Sequence, residues 1–380
     1  MSQSGNFKNF SISIPTKDDD SIQFVVNSSQ VNNIRWLIPL DDLILLTSGG
    51  AFRVSGADGV LTPTSIEVKR QGGFVVDDVR PLVIGNTVLY SSGIDVRDLA
   101  YTFEADGYSG RNVSILARHL LENRSIVNWA FSQRNDNLIW AVMSDGDIAG
   151  LTYIKEQDIY AWWRAETDGD FEDVCVVPEG DVDAVYFIVK REINGQTKRY
   201  VERLDEHNFT TVEDAFCVDC GLTYDGAPAS TISGLDHLEG EDVAVLADGN
   251  VIPSITVSNG SITLPREYSK VHVGLGYTCD FQSMDYVYET PNGSTQGVFK
   301  SLASVVFKVR DTRGISAGPD FETLDVVKAR NYDDDYGAAA LRTGDMELTV
   351  DADWSTETNV CVRVSDPLPA TILSIASSGS

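Results

Sequence analysis

Histidine is scarce in this sequence, with 4 residues among 380. No HExxH zinc motif and no glycine-rich phosphate loop occurs. Glycine is plentiful, with 31 residues, and this balance suits a protein of many strands and tight turns better than a hydrolytic active site. The composition therefore argues against an enzyme and against a nucleotide-binding protein.

Basic residues are also few, since 29 lysines and arginines stand against 57 aspartates and glutamates, for a net charge of −28. Such a charge raises solubility at the cost of self-repulsion. It also disfavours DNA binding, because tight binding to phosphates needs clustered Lys and Arg. Two interpretations stay open: a soluble acidic protein from a saline or crowded setting, and a surface past which DNA slides without sticking.

Long apolar runs and a secretion signal are missing as well. The first ten residues, MSQSGNFKNF, lack a basic region followed by an apolar stretch, so no signal peptide is predicted. No run approaches the roughly 20 apolar residues that a membrane helix needs. We therefore expect no membrane insertion, and folding and assembly in a reducing cytoplasm.

The five cysteines are an odd number spread over a long chain, which is not typical of a disulfide framework. Cys217 and Cys220 have the spacing of half a zinc site or of a redox pair. A zinc site needs two further ligands, for which only His207 and His237 lie near in sequence. A redox pair normally begins a helix, whereas this context is β. Two strand cysteines are the expected outcome.

Period-two alternation of apolar residues is the main structural signal, and it predicts strands with one face on a core. It occurs in five segments: Ile22–Val26, Leu99–Phe103, Val271–Tyr277, Met346–Val350 and Val360–Val364. Asx-Gly pairs supply the positive φ angles of hairpin turns. They are Asp58-Gly59, Asp145-Gly146, Asp168-Gly169, Asn194-Gly195, Asp225-Gly226, Asp248-Gly249, Asn259-Gly260 and Asn292-Gly293. Only Arg111 to Asn123 is predicted to form a helix.

A weak repeat covers the first half of the chain. Four units align at Leu37, Val83, Ala130 and Cys175, with spacings of 46, 47 and 45 residues. Each continues into a turn and a second, buried strand. This period is typical of propeller blades of about four strands. A plain succession of hairpins in a sandwich is the alternative.

The sequence thus predicts an all-β fold with three parts. Residues 1–212 form a propeller-like repeat region, and residues 213–290 form a small inserted β-barrel or sandwich rich in glycine turns. Residues 291–380 form a C-terminal β module that packs back on the first region.

Ionisable clusters offer few candidates for chemistry. His119 falls in the predicted helix and His272 points away from the apolar face of its strand; neither is predicted to be catalytic. The runs Asp18-Asp19-Asp20 and Asp333-Asp334-Asp335 are expected to be solvated loops, although paired carboxylates can hydrolyse glycosides. The turns Asp145-Gly146-Asp147 and Asp168-Gly169-Asp170 come closest to a calcium loop.

One aromatic cluster, Tyr160, Trp162 and Trp163 followed by Arg164, is compatible with a sugar or base platform. In an alternating strand Tyr160 and Trp162 share one face and Trp163 takes the other, so part of the cluster is expected in the core. The sequence therefore predicts no catalytic, cofactor-binding or metal-binding residue.

The segment from Tyr153 to Leu204, YIKEQDIYAWWRAETDGDFEDVCVVPEGDVDAVYFIVKREINGQTKRYVERL, resembles tail proteins of short-tailed phages. In that family an EQ-x-V-x-x-W strand leads to a TDG-x-F turn, a V-P strand and R-x-I-N-G-x-x-x-R-Y-I-E-R. Upstream, IRWLIPLDDLILLTSGGAFRVSG, LTPTSIEVKRQ and LAYTFEADGYSG are similar to the same family. Downstream, CGLTYDGAP, ISGLDHLEGEDVAVLADG, VHVGLGY and DPLPATILSI continue the resemblance.

The resemblance is to nozzle or DNA-stabilisation tail proteins, and it implies a structural virion protein with no catalytic residues or cofactor. It implies a homohexameric ring below portal and adaptor proteins, contact with tail fibres or spikes, and a channel for genome retention and ejection. Many relatives have a longer N-terminal part. The alternatives are a fibre- or receptor-binding tail adaptor and a tail-associated polysaccharide depolymerase.

Overall fold

The computed structural model describes residues 1–26, 32–56, 59–134, 137–291, 293–328, 339–350 and 353–379. Nearly all the regular structure in these ranges is antiparallel β, which confirms the all-β prediction. The chain divides into two compact units. Unit 1 comprises residues 1–191 and 199–204, and unit 2 comprises residues 192–198 and 205–380. The three-part division of the sequence analysis stays a prediction.

The first fifteen strands form four antiparallel sheets in chain order, each with neighbouring strands consecutive in sequence. The first sheet contains β1 (Ile34–Pro39), β2 (Leu43–Thr47), β3 (Gly50–Ser55) and β4 (Glu67–Gly72), and the second contains β5 (Leu82–Ile84), β6 (Thr87–Ser92), β7 (Asp95–Thr102) and β8 (Gly107–Ser109). The third contains β9 (Ile126–Ser132), β10 (Leu138–Met143), β11 (Ile148–Ile154) and β12 (Ile159–Ala165), and the fourth contains β13 (Asp170–Glu179), β14 (Val182–Ile193) and β15 (Gln196–Arg203).

The predicted repeat corresponds to these sheets. Leu37, Val83, Ala130 and Cys175 lie in β1, β5, β9 and β13, the first strand of each sheet. The four buried segments that were expected to follow them lie in β2, β6, β10 and β14. The repeat period is therefore the length of one small up-and-down sheet and its connection, as in the blades of a propeller-like region.

Consecutive sheets are joined face to face by apolar clusters. One cluster contains Leu46 of the first sheet and Val88 of the second, and the next contains Leu89 of the second and Ile139 of the third. A third cluster joins the third sheet to Phe187 of the fourth. Successive residues of β6 thus serve two different cores, because side chains alternate between the faces of a strand.

Unit 2 contains the remaining strands. They are β16 (Asp219–Ser233), β17 (Asp242–Ala247), β18 (Asn250–Thr256), β19 (Ser261–Leu275), β20 (Cys279–Gln282), β21 (Glu289–Thr290), β22 (Gly293–Ser294), β23 (Leu302–Thr312), β24 (Ser316–Gly318), β25 (Asp325–Val326), β26 (Arg342–Thr349), β27 (Cys361–Val364) and β28 (Thr371–Gly379). The sheet orders are β16-β19-β17-β18, β20-β27-β24-β25 and β26-β23-β28, with β21 and β22 as a hairpin. The last two large sheets share a core that includes Phe307 and Val362.

Several Asx-Gly pairs form the predicted turns. Asn194-Gly195 joins β14 to β15 and Asp248-Gly249 joins β17 to β18, with both residues of each pair at positive φ. Asp225-Gly226 was predicted wrongly as a turn, since it lies inside β16, where the register with β19 shifts after Asp225. Asp58 and Asn292 lie outside the described residues.

The predicted helix from Arg111 to Asn123 is wrong over most of its length. The helix α1 spans only Arg118–Leu121. Before it, the backbone pairs with β7, since Asp98 N–H donates to the Arg111 carbonyl and Val113 N–H donates to the Val96 carbonyl. Sheet pairing therefore prevails over the apolar helical spacing. Short 3₁₀ turns occur at Phe103–Ala105, Lys155–Gln157, Val212–Asp214 and Asp236–Leu238.

The predicted strand Ile22–Val26 is also absent. These residues form no strand, yet Phe24 and Val26 pack against the face of the first sheet that contains Phe52. Phe103 likewise falls outside β7, in a 3₁₀ turn, and is exposed. Within the described ranges no helix is long and apolar enough to cross a membrane.

Candidate functional sites and interaction surfaces

Of the two cysteines predicted to lie in strands, Cys220 lies in β16, whereas Cys217 precedes that strand. Cys217 is buried, and this burial raises the pKa of its thiol to about 11. Cys220 packs against the core of the sheet that contains β16, and its carbonyl accepts a hydrogen bond from Nε2 of His237 at 2.9 Å. Among the described residues no group of three or more His, Cys, Asp or Glu side chains is placed to hold a metal.

His272 alternates away from the core face of its strand, as predicted, and is nevertheless buried on the other side. Its Nε2–H donates to the Glu213 carbonyl at 2.9 Å, so its Nδ1 accepts from the Thr223 hydroxyl at 2.8 Å. Burial lowers the pKa of His272, with the charge of Lys270 acting in the same direction. Both nitrogens of the neutral ring therefore have hydrogen-bond partners, which gives His272 a structural role. His119 and His207 are exposed.

The two turns considered as calcium loops hold arginine and lysine side chains instead. Asp147 accepts from Arg124 at 3.3 Å and from Arg164 at 2.8 Å. Asp170 is paired with Lys190 at 2.9 Å. The Gly146 carbonyl also accepts from the Phe171 N–H at 2.8 Å, so the structure joins the two turns that sequence treated separately. The hydrogen bond between Gly146 and Phe171 connects the third sheet to the fourth, whereas each ion pair lies beside a single sheet.

The first acidic run is only partly a solvated loop, which corrects that prediction. Asp18 and Asp19 are exposed, whereas Asp20 is 3% exposed. The Asp20 carboxylate accepts from the backbone N–H of Lys17 at 2.8 Å and from the N–H and hydroxyl of Ser13, both at 2.9 Å. The Lys17 N–H is the main cause of a lowered Asp20 pKa. The run Asp333-Asp334-Asp335 lies outside the described residues.

The aromatic residues of β12 are divided between two cores, as predicted. Trp162 and Tyr160 pack on the cluster shared with the second sheet, and the Trp162 Nε1–H donates to the Val113 carbonyl at 2.9 Å. Trp163 packs on the opposite cluster, at 5.0 Å between ring centroids from Trp140. Because these rings are half-buried in packing contacts, they offer no open platform for a sugar or a base.

A Gly-x-Ser-x-Gly sequence occurs at residues 314–318, although no nucleophile elbow was predicted. In hydrolases this motif places the serine on a sharp turn between a strand and a helix. Here Ser316 begins β24 and is paired with Val326 on one side and Arg363 on the other. The backbone around Ser316 is therefore extended and lacks the nucleophile elbow.

Unit 2 contains an apolar cavity of about 490 Å³, which we call the edge cleft. Its walls include Phe281 of β20, Val364 of β27, Leu373 of β28 and the side chains of Cys217 and Tyr277. Burial raises the pKa of the Tyr277 hydroxyl. The cleft lies where β20 and β28, both edge strands, come together, so it depends on contacts that the sequence does not reveal.

An exposed aromatic patch is a second feature that the sequence analysis missed. It consists of Met284, Tyr286, Tyr288, Phe299 and Trp354, which are 43–89% exposed. The buried Lys300 ties its segments together, since Nζ donates to Asp285 at 3.1 Å and to the Tyr286 carbonyl at 2.7 Å. A group of exposed apolar side chains of this kind is typical of interaction sites.

A third feature is a row of outward-facing apolar side chains, Phe10, Ile12 and Ile14, which we call the apolar row. Their exposed fractions are 66%, 50% and 101%. The alternation with Ser11 and Ser13 is visible in the sequence, but its orientation toward solvent is not. These three surfaces are the principal candidates for protein contacts.

Comparison with known proteins gives one family match. Residues 1–97 match the family described as bacteriophage nozzle protein. A search of curated proteins found no match. Eighteen chains of solved structures match, including exo-inulinase from Aspergillus awamori at 11% identity and a TM-score of 0.23, over 92% of this chain and 95% of that chain. At that TM-score the likeness carries no argument about fold or function.

The match supports a structural protein of a bacteriophage tail as the class of this chain. Over residues 1–97 it confirms the resemblance to the nozzle family, and this range includes the motifs quoted around β1 to β4. The virion tail is the location that this family supports.

Proposed function

We propose that this chain is a ring-forming subunit of the tail nozzle, commonly in six copies, that forms the channel for genome retention and ejection. The observation that carries the proposal is the match of residues 1–97 to the bacteriophage nozzle protein. The stacked sheets of unit 1 support it, because a conduit needs a rigid scaffold with large surfaces for contact between subunits. Portal or adaptor proteins are the proposed axial neighbours.

The acidic composition supports a channel through which DNA passes without sequence-specific binding. A net charge of −28 on each copy is multiplied in a ring, and a negative wall repels phosphates. Folding in the host cytoplasm followed by assembly onto the virion is part of the same proposal.

The aromatic patch supports the docking of tail fibres. Fibre docking is also the main role in the alternative proposal, a fibre- or receptor-binding adaptor. Tyr286 and Tyr288 lie with ring centroids 5.8 Å apart, and tyrosine and tryptophan are enriched where proteins bind one another. A fibre protein seated on this patch would cover the exposed Trp354. Docking at the patch is compatible with a role in the nozzle.

We propose further that the chain has no enzymatic turnover. The carboxylates of Asp145, Asp147 and Asp170 are engaged by arginine and lysine, which argues against a free acid pair for glycoside hydrolysis at these turns. This speaks against a polysaccharide depolymerase.

The proposal is tested by making virions without this chain and adding the purified protein back. We expect particles that lack it to lose packaged DNA and to be non-infectious, and we expect the added protein to restore both properties. Retention of DNA and infectivity in its absence would contradict a nozzle role. Polysaccharide cleavage by the purified protein would favour the depolymerase instead.

A further inference from the structure

Residues 1–22 have the reverse of the polar and apolar arrangement that is usual in a solvent-exposed loop. The polar side chains of Gln3, Asn9, Ser13 and Asp20 bond to one another, with Asp20 at the centre. The apolar row is left on the outside. Leaving three neighbouring apolar side chains exposed is costly in water, so the arrangement is expected to have a partner.

The backbone N–H groups of this segment alternate between bonded and free, while the Phe10 carbonyl accepts from the Ser21 hydroxyl at 2.9 Å. Ser13 N–H donates to Asp20 and Ser11 N–H donates to the Asn9 side chain at 3.0 Å. The N–H groups of Phe10, Ile12 and Ile14 have no hydrogen-bond partner within the described part of the chain. A segment in which every second N–H is free and every second side chain is apolar and exposed has the properties of a strand that adds to a sheet.

The edge cleft offers a matching acceptor. In the described residues β20 pairs only with β27, and β28 pairs only with β23, so each has one free edge. The cleft takes its lining from consecutive residues of both strands, Cys279–Phe281 and Ile372–Ile375. Its volume of about 490 Å³ is within the usual range for binding pockets, roughly 300–1,000 Å³.

Length and charge agree with this pairing. Five residues from Phe10 to Ile14 extend over about 13 Å at the rise of a β-strand, comparable to the short β20. Pro15 then ends the segment, because proline cannot donate to a ladder.

Residues 1–17 include Lys8 and Lys17 and no Asp or Glu, whereas the whole chain has a net charge of −28. The exposed Asp366 lies at the cleft.

We infer that the apolar row of one copy inserts into the edge cleft of a second copy and adds a strand there. The alternate side chains Phe10, Ile12 and Ile14 fill the cleft, and the free N–H groups bond to an edge strand of the neighbour. This inference rests on the proposed ring, and it supplies the contact that links one subunit to the next.

Disulfide trapping tests the contact directly in the full chain. Cys279 is exposed and lines the cleft, so Ile12→Cys should form an interchain disulfide with it under mild oxidation by diamide. We expect a ladder of covalent oligomers on non-reducing gels. The ladder should be absent in the unsubstituted chain and in Ile12→Cys combined with Cys279→Ser. Ile12→Cys combined with Cys175→Ser is the matched control, because Cys175 is exposed but lies in unit 1.

The outcomes separate this inference from the proposed ring. Rings that assemble without the Cys279 cross-link, or that cross-link through Cys175, overturn the inference and leave the nozzle proposal standing. In the Ile12→Cys variant, a disulfide that joins the introduced thiol to Cys279 within one monomer also overturns it. A chain that stays monomeric alone and with portal proteins overturns both.

Self-association provides the second measurement. Phe10→Ser, Ile12→Ser and Ile14→Ser together should weaken it by about tenfold or more, because three apolar side chains no longer enter the cleft. Val201→Ser is the control, since Val201 is 73% exposed and outside the row. Sedimentation measures the association constants. Equal constants for the triple variant and the unsubstituted chain would contradict the insertion of the apolar row into the edge cleft.

Discussion

At the scale of single residues, Arg191 is the most deeply buried charged residue among the described residues of unit 1. Its side chain is 1% exposed, and it reaches both carboxylate oxygens of Glu202 at 2.7 and 2.8 Å. A third nitrogen donates to the Asp168 carbonyl at 2.7 Å. One guanidinium thereby joins the turn before β13 to β15, a role that its planar donors suit better than a lysine would.

Arg191→Met should lower the free energy of unfolding by about 3–5 kcal/mol, because it leaves the Glu202 charge without its buried partner. The comparison is Arg199→Met, since Arg199 pairs with Glu172 in a largely exposed position. That loss should be much smaller, because exposed ion pairs contribute little to stability. Urea unfolding followed by tryptophan fluorescence measures both. Similar losses for the two variants would contradict the account of Arg191.

The burial of His272 predicts that the free energy of unfolding depends on pH. An unfolded histidine takes a proton near pH 6.5, whereas burial lowers the pKa of His272 in the folded chain. The unfolded state therefore binds more protons as the pH falls below about 6.5, and the free energy of unfolding decreases in that range. His272→Gln should remove this part of the decrease in unfolding curves recorded between about pH 7.5 and 5. His119→Gln, at an exposed site, should leave it unchanged.

At the scale of elements, the sequence predicts the sheets of unit 1 better than anything else in the chain. A first strand containing Leu37, Val83, Ala130 or Cys175 recurs because each small sheet repeats one pattern of apolar residues. The helix at Arg111–Asn123 is mispredicted because its apolar spacing is satisfied by pairing with β7. A prediction from local apolar periodicity takes no account of pairing with a preceding strand.

Close approach within the third sheet gives a prediction for this element. Gly150 faces Trp163 across β11 and β12, and a Cβ at Gly150 would overlap the indole ring. Gly150→Ala should therefore lower the free energy of unfolding by about 1–3 kcal/mol through overpacking. The loss should shrink in a Trp163→Leu background, which removes the ring.

The matched control is Gly72→Ala, since Gly72 ends β4 at an ordinary φ with open space where a Cβ would be added. Its change should stay within about 0.5 kcal/mol. An equal cost for Gly150→Ala with and without the Trp163 ring would show that overlap with the indole is not the cause.

At the scale of the whole molecule, charge and exposed apolar surface together define the proposed role. The net charge of −28 is plain from the sequence, whereas the apolar row, the edge cleft and the aromatic patch are defined by which side chains remain outside. The motifs that resemble the nozzle family can be read directly from the sequence, and the family match includes those around β1 to β4. Exposure depends on the completed fold, so the same Phe10–Ile14 alternation was compatible with a buried strand.

The mass and symmetry of the assembled particle test the central claim most directly. The chain, alone and together with portal and adaptor proteins, is examined by light scattering and by averaged electron images. We predict a closed ring, commonly of six copies of the 41.5 kDa chain, coaxial with the portal. A strictly monomeric chain that joins no ring under either condition would contradict the nozzle account.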